Sequence, residues 1–173
     1  MSRSFLLILA IVISGCANAP AHIAPPAASA TAVKLMEPMP GLYTAAQPQA
    51  SDWTAIKARG VHTVINLRTP GEMQGRDEAA EVRAAGMQYI SIPVAGADGI
   101  NQSNARALHD ALAPTHGSSV LVHCSSGNRA GALLALEQAD FNGVPKAQAL
   151  ELGKKAGVTS LGAKLQQALD AGK

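Results

Sequence analysis

The stretch Val120-Leu121-Val122-His123-Cys124-Ser125-Ser126-Gly127-Asn128-Arg129 decides the fold. An apolar, β-branched run breaks into small and polar residues, and a helix-forming run of Ala and Leu follows to Phe141. That is a buried strand (118–123), a tight loop and a helix (129–141). Upstream, Val61–Leu67 has the same buried-strand composition, and Gly41–Thr44 and Tyr89–Val94 are shorter candidates. Helices are expected between them. One runs from Asp52 to Arg59, capped by Ser51 and stopped by Gly60. A second runs from Asp77 to Ala85 and is stopped by Gly86, and a third spans Ser103–Ala113. Downstream, Pro145 opens a helix ending at Gly157, and Thr159 caps a last one with Leu161, Leu165, Ala168 and Leu169 on one stripe. The alternation predicts an α/β fold with a single open, largely parallel central sheet flanked by helices on both faces. Ligands of such folds sit beyond the carboxyl ends of the strands. The loops after Leu67, Val94 and His123 are therefore where chemistry is sought.

Cys124 stands where the strand meets the N-terminus of the following helix. Free N–H groups and the helix dipole stabilise an anion there, so the thiol is expected to ionise more readily than a free cysteine. Gly127 and the small Ser125 and Ser126 let backbone N–H groups turn inward as an anion nest. Arg129 adds a planar fork for two oxygens of a tetrahedral oxyanion. A nucleophile beside an oxyanion cradle is the equipment of covalent phosphoryl transfer.

The run Val122–Arg129 resembles the His-Cys…Arg signature of cysteine-dependent tyrosine and dual-specificity phosphatases. Leu42-Tyr43…Ala46-Gln47-Pro48, Val64-Ile65-Asn66-Leu67-Arg68 and Tyr89–Val94 are similar to the bacterial phosphatase-like domain of beta-lactamase hydrolase-like proteins. Arg129-Ala130-Gly131-Ala132-Leu133 fits the same domain, and the resemblance covers about residues 35–170. It implies a phosphoric monoester hydrolase with Cys124 as nucleophile and Arg129 as phosphate clamp. Ser125, Ser126, Gly127 and Asn128 would offer N–H groups to the phosphate, and His123 would support the loop and the thiolate. It also implies a general acid on a loop before the cysteine, and Asp98 stands on one. The substrate would be a phosphorylated protein or small molecule, and no cofactor or metal is implied.

The sequence departs from the phosphatase pattern in three ways. The Cys124–Arg129 loop is one residue shorter than usual, a length shared with rhodanese-like sulfurtransferases. Ala130 stands where a hydroxyl usually assists departure of the thiolate. Asp98 lacks the usual Trp-Pro-Asp setting. A sulfurtransferase and a non-catalytic phospholigand-binding module are the alternatives. Arg68, just past a strand, either lines the pocket or pairs with Glu72 at the surface. His62, His109 and His116 show no metal-ligand spacing.

The N-terminus reads as an address. Arg3 precedes the apolar run Phe5–Ile13, too short for the ~20 residues of a membrane span. Ile13-Ser14-Gly15-Cys16 resembles a bacterial lipobox, which implies cleavage before Cys16 and lipidation there. The alternative is an ordinary secretory signal cut near Ala19. The organisation expected is thus a signal peptide over 1–15, a lipidated Ala/Pro-rich tether over 16–34 and a phosphatase-like domain over 35–173. The localisation expected is the bacterial cell envelope, as a periplasmic lipoprotein on the outer membrane, touching the membrane through its lipid alone.

Composition closes off other classes. The 173 residues suffice for one domain. Hydrophobic residues are 47% and charged ones 15%, which excludes a disordered acidic chain or a coiled coil. A net charge of +2 provides no basic excess for nucleic acid. Aromatics are 3%, so the core must be built from Ala, Val, Ile and Leu.

Overall fold

Two apolar strands form the spine of the sheet, β3 (Val61–Asn66) and β5 (Ser119–His123). They run parallel, with Val64 beside Leu121 and Ile65 beside Val122. β2 (Leu42–Ala45) lies along the other side of β5 and β4 (Gln88–Ser91) along the other side of β3, both parallel. β1 (Met36–Met39) joins β2 antiparallel, giving the order β1-β2-β5-β3-β4. The computed structural model describes residues 33–115 and 117–172. The expected signal peptide, Cys16 and nearly all of the tether lie outside these residues.

Strand periodicity sorts the side chains onto two faces. Val120 and Val122 point into one core with Leu42 and Ile65, while Leu121 points into the other with Ala45, Val61 and Val64. The second core is closed by α1 (Trp53–Ala58) and α2 (Glu78–Ala84) through Trp53, Ile56 and Val82. The first is closed by α3 (Gln102–Leu112), α4 (Asn128–Phe141), α5 (Lys146–Lys155) and α6 (Gly162–Ala171). The helices therefore cover both faces, as the alternation requires. α4 is buried on every side from Arg129 to Gln138, because α3, α5 and α6 all pack on it.

Several boundaries differ from the sequence reading. β1 was not anticipated; Pro38 lies within it and is tolerated on an edge strand. β4 stops at Ser91, before Pro93. Ser51 does not cap α1: the chain enters through a 3₁₀ turn, Ala50–Asp52, in which the Asp52 carboxylate accepts the Gln49 N–H at 2.7 Å. Pro145 sits at the cap of α5 rather than inside it, and α6 starts beyond Leu161 rather than at Thr159. Gly60 and Gly86 end their helices with φ of +86° and +75°, the left-handed geometry expected of them.

Gly131 in α4 lies tight against the backbone that follows α5. A Cβ there would meet the Ala156 carbonyl oxygen at 2.7 Å. Helix propensity favours Ala over Gly by ~1 kcal/mol, but a clash with backbone costs more. Gly131→Ala is therefore expected to destabilise the domain by about 1–3 kcal/mol in thermal unfolding; a raised melting temperature contradicts this packing.

Candidate active site

β5 delivers Cys124 to a loop that turns at Gly127, whose φ is +89°, and enters α4 directly. Only glycine adopts that angle without strain. The turn brings the Gly127 N–H onto the Cys124 sulfur at 3.2 Å. The sulfur thus lies at the positive end of a fourteen-residue helix, a seat that favours an anion. Cys124 is fully buried. Its loop is pinned from both sides, since Gln47 N–H donates to the Ser125 carbonyl at 3.3 Å and Leu67 N–H to the His123 carbonyl at 2.9 Å.

Arg129 lies on the first turn of α4, and protein atoms meet both of its terminal nitrogens. Nη1 donates to Glu72 Oε2 at 2.9 Å and to the Val94 carbonyl at 2.7 Å. Nη2 donates to Glu72 Oε1 at 2.5 Å and to Ser125 Oγ at 3.1 Å. The Ser125 hydroxyl donates in turn to Glu72 Oε1 at 2.7 Å. Glu72 itself is fixed by the Thr69 N–H and hydroxyl, both on Oε2. The Arg129 fork, with help from Thr69 and Ser125, holds the Glu72 carboxyl well below the usual carboxylate range against its partial burial. Glu72 is thus the positioning residue of Arg129, a role the sequence reading does not give it, weighing Glu72 only as a surface partner of Arg68. Arg68 instead donates to the Glu72 carbonyl and to Gln47 Oε1. The signal available was Thr69-Pro70-Gly71-Glu72, a capping-box pattern that fixes a carboxylate just past β3.

His123 lies beneath the loop on the α1/α2 face. Its Nε2 meets Glu78 Oε1 at 2.8 Å, both side chains are fully buried, and the Trp53 ring lies edge-on to the imidazole. Gln47 Nε2 donates to the other Glu78 oxygen at 2.5 Å. Burial drives the Glu78 carboxyl upward, but the hydrogen bond and charge of His123, with Gln47 and Arg76, outweigh it and leave it lowered. Nδ1 of His123 is buried and meets no partner among the described residues.

The remaining expected residues are placed as follows. Ser126 is exposed beside Ser125. The Asn128 side chain is turned away toward the segment before α6: its Oδ1 accepts the N–H groups of Thr159, Ser160 and Leu161 at 2.8, 3.0 and 3.3 Å. Asp98 stands on the loop that starts at Val94, and its side chain is fully exposed, 3.4 Å from Lys164 Nζ. No hydrogen bond joins its carboxylate to Cys124 or Arg129 among the described residues. No three His, Cys, Asp or Glu side chains gather as a metal site among those residues.

Comparison with known proteins matches residues 35–141 to the phosphatase-like domain of beta-lactamase hydrolase-like protein, and the chain belongs to that family. It is 38% identical over 110 residues to the beta-lactamase hydrolase-like protein of Xylella fastidiosa (strain Temecula1), covering 61% of this chain and 25% of that one. The chain therefore spans about a quarter of that relative's length. Among solved structures it resembles a candidate phosphatase of Shewanella putrefaciens CN-32, with a TM-score of 0.65 at 28% identity, covering 81% of this chain and 89% of the other. It also shares the fold of P. aeruginosa TpbA, solved as a Cys-to-Ser variant with pTyr. That match has a TM-score of 0.63 at 21% identity and covers 84% of this chain and 93% of that one.

The buried His123–Glu78 pair yields a stability prediction. A carboxyl lowered on folding lends stability that is present above the unfolded pKa and is lost as pH falls through the folded one. Glu78→Ala leaves His123 buried and unpaired, an expected cost of about 3–5 kcal/mol at pH 7 by denaturant unfolding. The gap between wild type and variant should narrow below about pH 4, where carboxylates take up protons. A pH-independent gap refutes the charged pair.

Proposed function

We propose that this member of the family is a cysteine-dependent phosphomonoester hydrolase. The observation that carries the reading is the junction itself, with the Cys124 sulfur 3.2 Å from the Gly127 N–H and the Arg129 guanidinium on the same first turn of α4. In the first step the Cys124 thiolate attacks phosphorus. The S–P bond forms, the bond to the leaving oxygen breaks, and Asp98 gives that oxygen its proton. In the second step water attacks phosphorus, the S–P bond breaks, the thiolate departs, and Asp98 takes the proton of water. Arg129 and the N–H groups of residues 125–128 hold the equatorial oxygens, where charge develops. Asp98 reaches the leaving oxygen by movement of its loop, for which Gly96, with φ of +53°, supplies backbone freedom. Ala130 offers no hydroxyl to the departing thiolate, so the second step is expected to be the slower one. The proposal includes anchoring through a lipidated Cys16 on the periplasmic face of the envelope, where labelled fatty acid should be incorporated into wild type and not into Cys16→Ser.

Hydrolysis of an aryl phosphate under reducing conditions tests the reading. Cys124→Ser should abolish it, and Arg129→Ala should lower kcat/KM by at least about 100-fold, the scale of losing a main transition-state contact. Asp98→Asn should remove the basic limb of the pH profile. Cyanide-dependent sulfur transfer from thiosulfate without hydrolysis would replace the proposal with a sulfurtransferase, which the short loop favours. Phosphate binding without turnover would replace it with a binding module.

A further inference from the structure

The cations around the cysteine loop are of two kinds. Arg129 meets Glu72 at 2.5 Å, Arg76 meets Glu81 at 2.5 Å, His123 meets Glu78 at 2.8 Å and Lys164 meets Asp98 at 3.4 Å. Each faces a carboxylate. Arg68 faces none among the described residues. Its Nη1 donates to Gln47 Oε1 at 2.5 Å and its Nη2 to the Glu72 backbone carbonyl, both neutral oxygens. Its Nε is buried and has no acceptor among those residues.

A half-buried guanidinium set against neutral dipoles is a costly arrangement. Tying the end of β3 to its neighbours could be done by a neutral amide at less desolvation cost. The position of Arg68 explains its charge better. It follows Leu67, whose N–H holds the His123 carbonyl. Its partner Gln47 holds Ser125 through the backbone. Its other partner, Glu72, sends its carboxylate to Arg129. The Arg68 and Arg129 guanidinium groups therefore grip opposite ends of one residue. The Arg129–Glu72 pair cancels, which leaves Arg68, among the described residues, as a positive charge beside the loop with no carboxylate against it.

The described aromatic rings lie elsewhere. Trp53 is buried beside His123, and Tyr43 packs with the α1/α2 core. The Tyr89 hydroxyl accepts from Asn66. Phe141 ends α4, thirteen residues past Asn128 and so roughly 20 Å along the helix. Trp53, 2% exposed, is too buried to stack on a leaving group at Cys124. Charge, rather than ring stacking, is what the rim offers.

We infer that Arg68 is a second anion contact, and that the substrate class is phosphomonoesters carrying a second phosphate or like anionic group next to the scissile one. The inference rests on the proposed phosphate-holding role of the Cys124–Arg129 loop. In it, Arg129 takes the reacting phosphoryl group and Arg68 takes its neighbour, a planar fork suiting each.

Calorimetric titration of the full-length Cys124→Ser chain with inorganic phosphate and with pyrophosphate tests this without needing turnover. Pyrophosphate should bind at least about tenfold more tightly than phosphate, the scale of one added charge-assisted contact. That advantage should vanish in Cys124→Ser/Arg68→Gln. Arg68→Lys, which keeps the charge and loses the fork, should retain part of it. Three results overturn the inference: equal affinity for the two anions, an equal loss for both in the Arg68→Gln background, or no binding of either. Tight, Arg68-dependent pyrophosphate binding in a chain that hydrolyses no aryl phosphate would support the second contact and refute only the catalytic reading. Where hydrolysis is found, the kcat/KM ratio of a vicinal bisphosphate to its monophosphate should fall toward one in Arg68→Gln.

Discussion

The contact between the Gly127 N–H and the Cys124 sulfur is where the rest of the site begins. It exists because glycine tolerates the left-handed turn that swings the chain from β5 straight into α4. A longer or straighter passage would carry the thiol away from the helix N-terminus. A side chain at residue 127 would strain the turn. From this one turn follow the placement of Arg129 one residue into the helix and the approach of the Gly127 N–H to the sulfur. The packing of α4 between sheet and helices holds that placement, and under the proposed function the anion meets a site organised before it arrives.

Charge at the site is arranged as paired units joined by shared partners. Glu72 holds Arg129, Glu78 holds His123 and Glu81 holds Arg76. Gln47 joins one of these units to Arg68, with its amide nitrogen on Glu78 and its oxygen on Arg68. α2 and the turn before it thus brace the cysteine loop from below and from the side. The carboxylates come from 72, 78 and 81, a short acidic stretch whose charges look like ordinary surface decoration until the fold turns them inward.

That contrast explains what was legible in the sequence. β3, β5 and α4 were readable because buried strands and a buried helix need unbroken apolar runs. Cys124, Gly127 and Arg129 were readable because their chemistry is local to six consecutive residues. Glu72 and Glu78 were not, since their partners lie 57 and 45 residues away. No periodicity encodes a contact at that separation. Thr159 failed as a helix cap for the same reason: its hydroxyl accepts from the Asn128 side chain across 31 residues. β1 escaped because Met36-Glu37-Pro38-Met39 has no strand composition; its pairing comes from lying beside β2.

The helical pair beyond residue 141, where the family match stops, is part of the site rather than an appendage. The Thr44 hydroxyl donates to the Ala156 carbonyl at 2.8 Å, tying β2 to the end of α5. The same carbonyl lies where a Cβ on Gly131 would be, one turn into α4. Asn128, inside the cysteine loop's exit, takes three N–H groups of the turn that leads into α6. Those N–H groups belong to the turn that precedes α6 and find their acceptor in Asn128, so that turn and the loop brace each other. The first turn of α4 is therefore set by contacts on both of its sides, Glu72 and Val94 on Arg129 and the 156–161 segment on Asn128 and Gly131. A first turn held from only one side could tilt with the helix, whereas one held from both keeps the Arg129 fork and the Cys124 sulfur in register.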